Sequence, residues 1–301
     1  MPQQVADAAQ PLPAATDWSW YVTHNNDDYS SMRALGCNEG TARRTDNSNS
    51  ELVLDFGSQD PNGGQTYLPF HDVFLSYTTI IGDSEWFAIG YFECVGRGGT
   101  NYLKLGIGTS NDNVQGQYSD PTNAYYAGVT WTQIATDVYN FVASQQMTGR
   151  VAVYGASDME TGYGSQNATL NWVQGFATGS LAFLDYGDAG GCPRNSYTSG
   201  DGYGCNGDWN QYGVWYKSWG NPAAYPLPEI YYQPLADQWW TISRYGYYDQ
   251  GGARLTFEGP LDEYDRDPST NTNVQAWNDL SNDLENDANT NVPLTYSVEI
   301  H

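Results

Sequence analysis

The chain has 301 residues, 40% of them hydrophobic and 15% aromatic, and its 35 acidic against 11 basic side chains give a net charge of −24. That apolar content supports a sizeable core and excludes a disordered chain. A surface so acidic repels phosphate backbones and anionic lipid, which argues against nucleic-acid partners and membrane-surface roles. No apolar run approaches the roughly 20 residues that span a bilayer, so no membrane insertion is expected.

Residues 1–17 are rich in Ala, Pro and Gln and read as an extended lead-in; residues 18–301 read as one domain, because no internal repeat or linker divides them. The first segment, MPQQVADAAQPLPAATD, has neither a charged nor an apolar signal region and reads as a mature N-terminus. Eight apolar or β-branched segments follow, at 52–57, 86–95, 102–109, 151–160, 181–186, 214–219, 229–232 and 239–245. Several are continuous apolar runs, as in strands covered on both faces. Helical patterns lie between some of them. Residues 130–147 place Ile134, Val138, Phe141 and Val142 on one stripe, and 166–178 do the same with Leu170, Val173 and Phe176. Strands alternating with helices predict an α/β fold, a (β/α)8 barrel, with an aromatic-rich β-sandwich as the alternative. Extra strands at 253–258 and 294–300, with a helix over 274–288 between them, complete the chain.

Four cysteines occur without a CxxC pair or a zinc-type partner set. Three pairings are open. Closure of the short loop between Cys192 and Cys205 costs little entropy, which favours that bridge and leaves Cys37 with Cys94. Disulfides and the Gly-, Asn- and Tyr-rich composition together imply a secreted, extracellular protein.

The motif richest in chemistry is Asp158-Met159-Glu160, at the end of the fourth expected strand. Residues i and i+2 of a strand share a face, so both carboxylates project together, and at the C-terminal mouth of a barrel they meet the usual active-site pocket. Two close carboxylates cannot ionise independently, and one is pushed toward acting as a proton donor. Asp55, Glu93, Asp185, Asp188 and Glu229 sit near the ends of other segments, where burial is expensive unless they pair or function. Trp172, Trp209, Trp215, Trp219, Trp239 and Trp240 offer flat rings for sugar faces, or else core packing. The expected ligand is therefore a polysaccharide or other glycan. Pairing of Glu160 with Arg97 or Arg244, sealed from solvent, would defeat this reading. No phosphate loop, nucleophile motif or His-based metal set appears, His24, His71 and His301 being scattered, so no cofactor is expected. The run Asp265–Asn273 alternates oxygen ligands as calcium loops do. However, Thr270 and Ala276 stand where such a loop needs Gly and a bidentate Glu, so it reads as a polar turn.

The LVLDFG segment ending near Asp55, the Asp158-Met159-Glu160 end, and the later 214–219 and QWWTIS (238–243) segments resemble the lysozyme-type muramidases of glycoside hydrolase family 25. They are closer still to secreted bacterial proteins of unknown function that share that barrel. The resemblance implies a (β/α) barrel that cuts the glycan of peptidoglycan, with Glu160 as proton donor and Asp158 and Asp55 as supporting carboxylates. Glu93, Asp185, Trp215, Trp219, Glu229 and Trp239 are then candidates for holding substrate. The chain departs from the pattern at Gly57, where the family has Ser, and at LGIGTSN (105–111), which lacks a Tyr-His-Phe-like end. Ala156 replaces the further acid that a chitinase-type site requires. The other reading is a barrel without catalysis that binds glycan or protein, or builds a surface assembly.

Overall fold

The computed structural model describes residues 10–60, 64–70, 73–96, 98–112 and 119–301; the first nine residues of the expected lead-in, His71 and Arg97 lie outside them. The chain alternates strand and helix: β1 (Asp17–Tyr21), α1 (Tyr29–Asp46), β2 (Ser50–Asp60), β3 (Gln65–Tyr67), β4 (Phe74–Ser76), α2 (Tyr77–Val95), β5 (Leu103–Ser110) and α3 (Pro121–Ser144). It continues through β6 (Val151–Asp158), α4 (Gln166–Phe176), β7 (Phe183–Asp185), α5 (Gln211–Trp215), β8 (Ala224–Pro226), α6 (Gln233–Asp249), β9 (Leu261–Asp262), α7 (Asn273–Glu285) and β10 (Val298–Ile300).

Helix starts follow side-chain chemistry. Asp28, Ser76, Asp120 and Ser165 each accept hydrogen bonds from first-turn N–H groups, and Thr272 with Gln275 closes a capping box. Eight strands form one curled sheet in the order β8-β7-β6-β5-β2-β1-β10-β9, every neighbouring pair parallel. A helix connects each consecutive pair, as parallel pairing demands. This excludes the β-sandwich. It is not a regular closed (β/α)8 barrel either. Beyond β8 the last seam consists of hydrogen bonds from Glu258 N–H to the Pro226 carbonyl, Leu261 N–H to that of Pro228 and Ile230 N–H to that of Leu261. Pro226 and Pro228 have no N–H to give, so no full ladder forms there. Val53, Ala156, Leu184, Leu227, Leu261 and Val298 fill the concave interior.

Several expected strands are helical. Residues 86–95 belong to α2, whose buried Ile80, Ser84, Phe87, Tyr91 and Val95 recur every three to four residues. One side of α2 packs so closely on α1 that a side chain at Gly36 or Gly90 would strike the opposing backbone carbonyl. Residues 214–219 run from α5 into a single π-helical turn, Tyr216–Gly220, and 239–245 lie inside α6. Residues 229–232 contribute an isolated bridge from Glu229 to Leu261, 253–258 form no strand, and 294–300 contains only the short β10. The helices expected at 130–147, 166–178 and 274–288 coincide largely with α3, α4 and α7.

All four cysteines are paired, Cys37 with Cys94 and Cys192 with Cys205. The first bridge ties α1 to α2, and the second staples the loop after β7. Such bridges belong to an oxidising compartment. No described helix is long and apolar enough to cross a membrane.

Candidate active site

A cleft of ≈ 310 Å³ opens at the C-terminal ends of the strands. That is the small end of the ~300–1,000 Å³ usual for ligand sites. Its acids come from separate elements: Asp55 from β2, Asp112 after β5, Asp158 and Glu160 from β6 and just beyond, Glu229 after β8, and Glu263 after β9.

Gly57 shapes one wall. It has φ +71, and a Cβ there would lie 2.1 Å from the Tyr67 carbonyl oxygen, so any side chain is excluded. The β2–β5 register shifts between Asp55 and Ser58, and β2 then bends into the antiparallel β2-β3-β4 flap. Leu68, Pro69 and Phe70 of that flap reach the cleft. The glycine at position 57 therefore coincides with the close approach that builds this wall.

Asp158, Glu160 and Glu229 each present a carboxylate oxygen within 4.8 Å of the other two. A shared proton or a bound cation satisfies such a spacing; three ionised carboxylates do not. Asn111 fixes the Glu160 main chain from both sides, its amide donating to the Glu160 carbonyl at 3.0 Å and its Oδ1 accepting from the Glu160 N–H at 3.0 Å. Burial, then the charge of Asp188, pushes the Glu160 carboxyl up to about 7, against a hydrogen bond from Tyr163 and the charge of Lys217. Asp158 is raised well above the usual carboxylate range by burial and then by Glu160 and Glu229; its Oδ1 is buried with no hydrogen-bond partner. Glu229 is raised by burial and by Glu160, opposed by the Tyr231 hydroxyl, which donates at 2.9 Å. Asp55 is pushed up to about 6 by burial, although it accepts from the Gly57 N–H at 2.7 Å.

Four of the expected site residues therefore share one cleft: Asp55, Asp158, Glu160 and Glu229. The others lie elsewhere. Glu93, expected at a strand end, is on the surface of α2 in an ion pair with Arg33 at 2.6 Å. Asp185 is fully buried against Lys217, with Nζ–Oδ2 at 2.8 Å. Trp239 is buried in a core cluster, its ring 5.3 Å from Lys217 Nζ, and Trp215 and Trp219 pack against the same cluster. Trp172 and Trp209 are buried and donate to Gln59 and to the Gly164 carbonyl, while Trp240 lies under Arg244. Of the two readings of these rings, sugar face or core packing, the structure agrees with packing.

The aromatic rings of the cleft are Tyr and Phe. Phe70 and Tyr163 are 58% and 46% exposed, and Tyr21 and Tyr231 also line the cleft, beside the acids. Arg266 lies 3.8 Å from the Phe70 ring centre and 5.1 Å from that of Tyr21, with Glu263 at 3.1 Å, and edges the cleft. Arg244 pairs with Asp287 at 3.7 Å and does not seal Glu160. The sequence reading missed Asp112, Glu263 and Arg266. An acid just past a strand end was the available signal for Asp112; Glu263 follows β9, which was not expected, and Arg266 sat in a run that reads as a polar turn. In that run Asp267 accepts from the Ser269 N–H, and the Asn271 amide donates to the Ile230 carbonyl and to Asp279.

No family model, curated protein or solved structure matches this chain.

Proposed function

We propose that this protein is a secreted glycoside hydrolase that cleaves a cell-wall or other extracellular polysaccharide on a (β/α)8-type scaffold, with Glu160 as general acid. The observation that carries this reading is the convergence of Asp158, Glu160 and Glu229 in an open, aromatic-edged cleft at the C-terminal side of a parallel sheet. Glu160, pushed up to about 7, holds a proton at neutral and acidic pH. It donates that proton to the glycosidic oxygen as the bond to the anomeric carbon breaks. The positive charge that develops on the sugar faces Asp158, with Asp55 and Glu229 beside it, and one ionised carboxylate of this set stabilises an oxocarbenium-like transition state. Water then attacks the anomeric carbon and returns a proton to Glu160.

The test is release of reducing ends from peptidoglycan, chitin and other glycans by the wild type, Glu160→Gln and Asp158→Asn. The expected result is cleavage of at least one glycan, with a loss on the order of 10²–10⁴ in Glu160→Gln. Binding of glycans with no cleavage of any would overturn the catalytic reading in favour of a glycan-binding one.

A further inference from the structure

A second set of ligating groups lies on the opposite face of the sheet from the barrel interior. The β9–β10 register pairs Leu261 with Val298 and Asp262 with Glu299. Leu261 and Val298 fill the concave interior, so Asp262 and Glu299 stand side by side on the outer face. His301, two residues beyond Glu299, shares that face. Asp265 reaches in from the turn after β9, where its N–H donates to Glu299 Oε1 at 2.7 Å. These placements bring one carboxylate oxygen each of Asp265 and Glu299 and a ring nitrogen of His301 within 4.8 Å of one another.

Two polar atoms here have no partner among the described residues. His301 Nε2 is buried without a hydrogen-bond partner. Asp262 is fully buried, and its Oδ2 has no partner either. Among the described residues, no Lys or Arg forms an ion pair with Asp262, Asp265 or Glu299. An orphaned buried carboxylate oxygen is costly unless something of opposite charge arrives. The His301 ring is held against Trp18 and Trp20, with centroids 4.4 and 5.3 Å apart, so its plane is fixed before any ligand binds. Asp265 is exposed, which gives an ion access.

We propose that Asp265, Glu299 and His301 form a binding site for a divalent cation of the zinc class. One imidazole with two carboxylates, a water completing four-coordination, suits Zn²⁺, whereas Ca²⁺ and Mg²⁺ take oxygen ligands and more of them. The ion would fasten β10 to the turn that carries Arg266 at the cleft edge, a structural role separate from the acids of the cleft.

The experiment is calorimetric titration of Zn²⁺ into chelator-treated, tag-free full-length protein, with Co²⁺ absorption as a spectroscopic readout. The expected result is one site per chain, weakened on the order of tenfold or more by His301→Ala, Glu299→Gln and Asp265→Asn. The visible bands of four-coordinate Co²⁺ should disappear in His301→Ala, and Glu160→Gln should bind Zn²⁺ as the wild type does. Asp265 is exposed, so its variant keeps the test valid should the buried substitutions unfold the protein. Absence of binding at millimolar Zn²⁺ would overturn the proposal. Binding unaffected by the three substitutions, or abolished by Glu160→Gln, would do so equally.

Discussion

Lys217 and Asp185 form a fully buried ion pair, and removing one partner tests how the cleft is supported. Lys217→Met keeps the aliphatic stem and deletes the charge, leaving Asp185 with the Gly187 N–H at 3.4 Å as its remaining donor. A carboxylate stranded in that way costs ~3–5 kcal/mol. It escapes by taking up a proton. At pH 7, protonating a group whose ordinary pKa is about 3.9 costs about 4 kcal/mol at 1.36 kcal/mol per unit, and at pH 5 about 1.5 kcal/mol. In the wild type, burial already raises Asp185 against the opposing charge of Lys217; without that cation its folded pKa rises further, so the variant binds more protons when folded and loses more stability than the wild type as pH rises above about 4. Urea unfolding followed by tryptophan fluorescence should therefore show a destabilisation of about 4 kcal/mol at pH 7 that shrinks to less than half at pH 5. Asp185→Asn combined with Lys217→Met should recover most of the loss at pH 7, because no charge is left unpaired. A loss below about 1 kcal/mol at pH 7, or an equal loss at both pH values, would refute this reasoning.

Asp83 is fully buried in α2, neither of its oxygens has a hydrogen-bond partner, and burial followed by Asp27 and Asp28 pushes it up to about 7. A carboxylate with a raised folded pKa favours folding at low pH and loses that contribution as pH rises from about 4 toward 7. Asp83→Asn should therefore raise the thermal midpoint at pH 8, raise it less at pH 5 and leave it nearly unchanged below about pH 4; equal effects at pH 8 and pH 4 would contradict this. Replacing both cysteines of a bridge by Ser should cost more for Cys37–Cys94, separated by 57 residues, than for Cys192–Cys205, separated by 13. Loop-entropy values are about 4 and about 3 kcal/mol, and the reverse order in urea unfolding would contradict them. Tyr163→Phe removes a hydrogen bond that holds Glu160 down, so the Glu160 titration followed by carboxyl NMR should move upward. A downward or absent shift would remove Tyr163 from the site.

The interior strands were legible because burial on both faces leaves a continuous apolar run, as in Leu52–Phe56, and the helices 130–147 and 166–178 because only one stripe of each is buried. The same rule misread α2. It is apolar nearly all round, because α1 covers one side through Gly36 and Gly90 and the core takes the other, so residues 86–95 looked like a strand. β1 escaped notice because Asp17 and Ser19, which point inward, are polar. Asp17 is paired with Arg43 at 2.9 Å, and Ser19 accepts from the Val53 N–H. At the site, Asp55, Asp158, Glu160 and Glu229 were readable from their positions near segment ends. Arg266 and Phe70 were not, since they arrive by tertiary folding of a turn and of the flap. Glu93 and Asp185 failed for the opposite reason, being acids whose partners, Arg33 and Lys217, lie far off in sequence.

The central claim is that Glu160 donates the proton in glycan hydrolysis, and the pH dependence of kcat/KM on a cleaved glycan tests it most directly. A general acid acts only while protonated, so the rate should fall as pH rises through about 7, while an acidic limb marks protonation of the supporting carboxylate. Glu160→Gln should lose on the order of 10²–10⁴ in rate and lose that basic limb with it. A Glu160→Gln enzyme that keeps the wild-type rate and the same basic limb would contradict the claim.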